Sequence, residues 1–240
     1  MCTIAILVHA CDAPVVLAAN RDELYARASR PPARLAPGIV GGVDAVGGGT
    51  WLALRADGAF AAITNQAGAV APPGARSRGL VVRELAAAVD PDGYVAALDP
   101  RHYASMNLVW GNADGVRVGY LRSTGESDVV RLPDGVHVLC NDRLDRAFTR
   151  GVRLQGGITS ALARSRAVDD LVSTLPAMLA DHTVGESPFD ATCIHTSVYG
   201  TRSSTIAVLE PGRVARYLHA DGPPCTTPFV DQLALLEHTA

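Results

Sequence analysis

Cys2-Thr3-Ile4-Ala5-Ile6-Leu7-Val8-His9 and Val15-Val16-Leu17-Ala18-Ala19-Asn20-Arg21-Asp22-Glu23, separated by the turn residues Asp12-Ala13-Pro14, decide how this chain is read. Two apolar runs around a turn predict an antiparallel hairpin over 2–9 and 14–19. The second run ends in four polar residues, Asn20-Arg21-Asp22-Glu23, which the hairpin returns to the side of residue 2. If Met1 is removed, which the small side chain behind it permits, the chain opens on a cysteine. Its own α-amino group, of pKa about 8, can then take the thiol proton. The thiolate is the reactive form, and a terminal amine paired with its own hydroxyl or thiol is a route to an activated nucleophile. Asp22 is placed to hold the α-ammonium, and Arg21 to favour the thiolate. The plainer reading is Cys2 as a small hydrophobe opening a strand.

Outward from the hairpin, composition narrows the class. The chain has 240 residues, 48% of them apolar, enough for a sizeable core in one domain over 1–240. The net charge is -3 and the 21 Lys+Arg residues are scattered, which excludes the basic footprint of a nucleic-acid binder. No run approaches the roughly 18 apolar residues of a membrane span. Asp12 and Asp22 stand where a signal peptide needs a basic start and an apolar middle, so a cytoplasmic location is expected. The five cysteines, Cys2, Cys11, Cys140, Cys193 and Cys225, are odd in number and form no CxxC pair, so thiols are expected in a reducing compartment. Cys193 and His195 lack a second ligand pair, so no metal site is expected. His9, His137 and His195 read as satisfied or exposed histidines, and no cofactor is expected. No sequence feature sets the oligomeric state.

Further along, Gly47-Gly48-Gly49 precedes a strand, Thr50-Trp51-Leu52-Ala53-Leu54. It lacks the Lys of a phosphate loop and predicts a tight turn or a close backbone approach. Ala56-Asp57-Gly58 turns into a second strand, Ala59 to Thr64, which closes on Asn65 and completes a hairpin. An amide there either caps the turn or donates to an oxyanion. A helix is expected from Ser77 to Val89, stopped by Pro91 and Gly93. A third hairpin joins 106–110 to 116–121, a short strand runs from 135 to Asn141, and helices cover 143–163 and 168–181, the second kinked or split at Pro176. Strand, polar interruption and strand fill 196–209, then a turn leads into 213–219. Hairpins, helices and hairpins again predict an α+β fold of two antiparallel sheets with helices outside.

Taken together, Cys2, Asn20-Arg21-Asp22-Glu23, Gly49-Thr50-Trp51, Thr64-Asn65 and Tyr199-Gly200-Thr201-Arg202-Ser203-Ser204-Thr205 resemble the NRDE family, also called the transport and Golgi organisation 2 family. That family is similar to the cysteine branch of the N-terminal nucleophile hydrolases, choloylglycine hydrolase and penicillin V acylase. The resemblance implies a four-layer αββα sandwich and cleavage of a non-peptide amide through an acyl-enzyme. It makes Cys2 the nucleophile, Asp22 the holder of the α-amino group, Asn65 and Asn141 oxyanion asparagines, and Arg202 a late active-site arginine. Asn20, Arg21, Glu23 and Trp51 are then expected to line the substrate, with turn-tightening as the alternative for Asn20 and Glu23.

One departure stands out. The hydrolases carry an arginine three residues before the aspartate, where this chain has Ala19. Arg21 is expected to point to the other face of a regular strand, leaving Cys2 without its cationic neighbour unless the chain bulges.

Two readings follow. In one, Cys2 attacks the amide or thioester of a small molecule, as a hydrolase or acyltransferase. In the other, the sandwich carries haem or an acyl lipid without chemistry, as the haem and lipid link of one family branch implies, with Cys2, His9 or His195 as candidate iron ligands. The segments 25–48 and 182–193 are expected to shape the cleft.

Overall fold

A computed structural model describes residues 2–144 and 146–237. The expected loss of Met1 therefore concerns a residue outside the described range. The N-terminal hairpin forms as β1 (Cys2–Val8) and β2 (Val15–Leu24), paired without a break from Cys2↔Arg21 to Val8↔Val15. Then come β3 (Ser29–Ala36), β4 (Ile39–Asp44), β5 (Leu52–Arg55), β6 (Phe60–Asn65), α1 (Arg78–Ala87) and α2 (Pro91–Ala96). The strands β7 (Met106–Asn112), β8 (Gly115–Leu121), β9 (Ser127–Arg131) and β10 (Gly135–Leu139) precede α3 (Thr149–Arg164) and α4 (Val168–Leu179). The chain closes with β11 (Tyr199–Glu210), β12 (Arg213–Ala220), β13 (Val230–Asp231) and α5 (Ala234–Glu237).

One sheet has six strands in the order β10-β1-β2-β11-β12-β13, the other seven in sequence order from β3 to β9, and every pairing is antiparallel. The alternation of β1 and β2 builds the layers. Ile4, Ile6, Leu17 and Ala19 pack against Leu54, Phe60 and Val109 of the second sheet. Ala5, Leu7, Val16 and Ala18 face Leu154 and Ile158 of α3 and Leu171 and Leu175 of α4. On the outer face of the second sheet, Val81, Val82 and Leu85 of α1 cover Ile63, Leu108 and Trp110. The result is an αββα sandwich, as expected. No described helix is long and apolar enough to cross a membrane.

Several boundaries differ from the sequence reading, each for a physical reason. The tetrad Asn20–Glu23 does not end β2 but continues it, because β11 pairs alongside from Leu24 down to Val15. The expected polar interruption in 196–209 is likewise continuous strand, β11, with one register shift. Thr201 pairs with Asp22 and Ser203 with Arg21, so Arg202 is the extra residue of a bulge. Ser29–Ala36 is a strand despite Pro31 and Pro32, which its place at the sheet edge permits. Pro91 does not only stop α1; it occupies the first turn of α2, where its missing N–H costs nothing, behind an Asp90 side chain that accepts from Gly93 N. The glycine run makes a close approach: a Cβ on Gly49 would lie 2.1 Å from the carbonyl carbon of Gly79. Thr50 N–H donates to Gly79 O at 3.0 Å, seating the start of α1 against the turn before β5.

Candidate active site

The first residue of β1, the end of β2, the end of β6 and the segments 44–51 and 71–79 enclose a cleft of about 520 Å³. Of the two segments expected to shape it, 182–193 contributes no lining residue, and 71–79 supplies that wall instead. Cys2 is half-buried in its wall. Directly across the hairpin stands Arg21, one pleat on from the Ile4↔Ala19 pair. Positions 19 and 21 share a face, so the expectation that Arg21 points away from the site is overturned: it faces the second sheet beside Cys2, with no bulge in β2 against β1. The Arg21 guanidinium carbon lies 4.3 Å from the centroid of the Trp51 ring, a cation–π contact in the cleft. Burial pushes the Cys2 thiol above its ordinary pKa, and the charge of Arg21 draws it back down.

Asp22 is 1% exposed, and its Oδ1 accepts from Thr201 Oγ1 at 2.7 Å. Burial pushes its carboxyl up to about 6, against the opposing pull of the Thr201 hydrogen bond and of Arg150. Arg150, in the first turn of α3 and 3% exposed, had no signal in the sequence. It donates to Thr3 Oγ1 at 2.9 Å, to Phe189 O at 2.8 Å and to Asn141 Oδ1 at 2.5 Å. Asn141 in turn donates to Asn65 O at 2.7 Å, fixing the end of β6. Asn65 itself lines the cleft, as do Glu23 and Trp51.

Three expected residues have other surroundings. Asn141 reaches the cleft only through the backbone of Asn65 and does not line it. Arg202, at the bulge, donates to Tyr25 O at 3.1 Å, stacks on the Tyr25 ring and is not a lining residue. Asn20 is buried with its amide committed: Nδ2 donates to Leu179 O at 2.8 Å and Thr192 O at 2.9 Å, and Oδ1 accepts from Ser204. It ties β2 to the chain after α4, a structural use in place of the expected substrate contact.

The charge in the cleft is uneven. Arg27 pairs with Asp44 at 2.6 Å and Arg76 with Glu84, whereas Arg21 and Arg78 line the cleft with no carboxylate salt bridge among the described residues. Arg78 donates to Ser105 O at 3.1 Å. Glu23 lines the cleft too, 3.8 Å from Arg27, and acts by charge on both Arg21 and Arg78 without an ion pair to either among the described residues.

Of the histidines, His9 lies at the far end of β1 from Cys2, 2.9 Å from Asp134. The premise that Cys193 and His195 lack a second pair fails in three dimensions. His182 and Cys225 join them, and one ligand atom from each of the four lies within 4.8 Å of the others.

The family model described as transport and Golgi organisation 2 matches residues 1–219. The human transport and Golgi organization protein 2 homolog is 30% identical over 230 residues, covering 82% of each chain, and the bovine homolog is 28% identical over the same share. Among solved structures, the Caenorhabditis elegans ortholog of N-acylethanolamine-hydrolyzing acid amidase superposes with a TM-score of 0.54 at 13% identity, covering 86% of this chain and 92% of that one. A variant of conjugated bile acid hydrolase from Clostridium perfringens superposes with a TM-score of 0.59 at 11% identity, covering 95% and 92%. At these identities the two enzymes share the fold with this chain.

Proposed function

The chain belongs to the transport and Golgi organisation 2 family, and on that premise we propose that it is an N-terminal-cysteine hydrolase of a non-peptide amide or thioester in a small, negatively charged acyl compound. The observation that carries the reading is Cys2 across the hairpin from Arg21, in the wall of an open cleft that Asn65 also lines.

With Met1 removed, the Cys2 α-amine takes the thiol proton and the thiolate adds to the substrate carbonyl. The Asn65 side-chain amide donates to the resulting oxyanion, a contact of about 3 kcal/mol where well placed. Collapse expels the amine or thiol, which leaves with the proton held on the α-ammonium, and water then releases the acid from the thioester. Asp22, one residue past Arg21 and close to the start of β1, holds the α-ammonium. Asn141 and Arg150 touch no reacting atom in this scheme; they act by positioning the end of β6 and the start of β1. Arg21 and Arg78 favour an anionic substrate group by charge.

The carrier reading has less support. His9 is tied to Asp134 at the opposite end of β1, and His195 stands among cysteines. The decisive experiment is intact-mass measurement of the purified protein, followed by labelling with a thiol-reactive acyl probe and peptide mapping. A chain lacking Met1 and modified at Cys2 ahead of the other four cysteines is expected. An active preparation that retains Met1 rules the mechanism out.

A further inference from the structure

We infer that His182, Cys193, His195 and Cys225 form a tetrahedral zinc site that clamps the segment 192–195 behind Asp22. The four residues come from three separate stretches: the turn after α4, the segment ahead of β11 and the loop between β12 and β13. Cys193 Sγ lies 3.8 Å from Cys225 Sγ and 3.6 Å from His195 Nε2, and His195 Nε2 lies 3.4 Å from Cys225 Sγ. A tetrahedral zinc with Zn–S of about 2.3 Å and Zn–N of about 2.05 Å has S···S edges of about 3.8 Å and S···N edges of about 3.6 Å. Three edges of the cluster therefore already have the dimensions of the polyhedron.

The fourth ligand is close. The His182 and His195 ring centroids are 5.0 Å apart, and all four ligand atoms of the set lie within 4.8 Å of one another. His182 Nδ1 is 3.1 Å from Cys193 O, the backbone-carbonyl bond that commonly orients a metal-bound imidazole. With that nitrogen as the donor, the lone pair belongs to Nε2. Two thiolates and two neutral imidazoles are a donor set suited to zinc, and the two thiolate charges balance the ion. Each thiol releases a proton as it binds. The two sulfurs are not bonded to each other: at 3.8 Å they stand well beyond an S–S bond of about 2.05 Å.

The clamp acts on the site through hydrogen bonds. Thr192 O accepts from Asn20, Ile194 O accepts from Thr201 N at 2.9 Å, and Ile194 N donates to Thr201 Oγ1 at 2.9 Å. That same hydroxyl donates to Asp22. A metal on Cys193 and His195 brackets Ile194 and so fixes the hydroxyl that Asp22 receives.

The test uses the full chain, reduced and purified without a histidine tag. Elemental analysis is expected to find about one zinc per chain, and cobalt exchanged into the site to give a sulfur-to-cobalt charge-transfer band with tetrahedral d–d bands. Cys225→Ser, checked for folding by circular dichroism, is expected to lose the band and at least tenfold in zinc affinity, while Cys11→Ser keeps both. If Cys225→Ser does not fold, competition of the wild-type protein with a chelating dye gives the affinity directly. The inference is overturned if the reduced wild-type chain gives no charge-transfer band and competes no better than a chain alkylated at its thiols. It is equally overturned by a native Cys193–Cys225 disulfide. These readouts do not involve turnover at Cys2, so they stand or fall apart from the hydrolase reading.

Discussion

Replacing Arg21 by Leu removes the positive charge opposite Cys2 and keeps an apolar side chain against Trp51. Directly paired cross-strand residues have Cβ atoms about 5 Å apart. The guanidinium reaches past that point to lie 4.3 Å from the indole centroid, which for a pair in this register corresponds to a charge–sulfur separation on the order of 7 Å. At an effective dielectric constant of about 20, a pair at that distance interacts by about 2 kcal/mol in favour of the thiolate. Solvent in the cleft screens part of this, leaving about 1 kcal/mol. Removing a cation disfavours the thiolate, so the Cys2 pKa rises and its thiolate fraction below that pKa falls several-fold. The assay is the rate of alkylation by iodoacetamide against pH, read at Cys2 by peptide mass mapping with Cys11 as internal reference. Arg21→Lys should recover most of the shift. Loss of the cation–π contact costs about 1 kcal/mol of stability, a Tm change of roughly 2–4 °C, which leaves the variant folded for the measurement. A folded Arg21→Leu protein whose Cys2 alkylates with an unmoved midpoint would refute the assignment of Arg21 as the cation that tunes this thiol.

Other outcomes follow from the same geometry. Asp22, pushed up to about 6, must be ionised to hold an α-ammonium, so kcat/KM is expected to fall on the acid side with a midpoint near 6; Asp22→Asn should lower activity and erase that limb. Arg78→Ala is expected to raise KM for an anionic substrate several-fold with little change in kcat, and equal losses for a neutral analogue would count against the charge argument. His219 is 3% exposed and burial pushes it down to about 4 from 6.5, so its contribution to stability is full above pH 6.5 and is lost as pH falls through 4. That loss is about 3 kcal/mol, and Asp22, raised in the fold, runs the opposite way over the same range. Urea denaturation at pH 7 and pH 4 should therefore show His219→Leu gaining about 3 kcal/mol on wild type between the two; an unchanged difference would remove His219 from the acid response. Asn20→Ala strips donors from two buried carbonyls and a partner from Ser204, costing about 3 kcal/mol and a Tm drop of roughly 6–12 °C by calorimetry.

The sequence carried the hairpin β1–β2 and the layer order plainly, because alternating apolar residues there serve two different cores. It hid β3, since Pro31 and Pro32 argue against a strand anywhere but at an edge, and edge position is a property of the assembled sheet. The same limit applies to the site. Cys2, Arg21, Asp22 and Asn65 lie at strand ends that the hairpins bring together, and their neighbourhood could be anticipated. The facing of Arg21 could have been read from parity with Ala19. Arg150 could not, because an arginine in the first turn of a helix looks like any solvated one until Thr3, Asn141 and Phe189 close around it. His182 and Cys225 stand 11 and 32 residues from Cys193, and no ligand spacing in the chain announces them.

The extra residue in β11 has a consequence for which changes of chain length this protein can survive. In an unbroken ladder the residue opposite Asp22 would be Arg202, and the acid would face a full positive charge in place of a hydroxyl. Losing Arg202 itself straightens the strand yet keeps Thr201 opposite Asp22. Losing Thr201, one position earlier, brings the arginine into its place. Two adjacent single-codon deletions are thus expected to differ completely in effect, the first tolerated and the second neutralising the carboxylate.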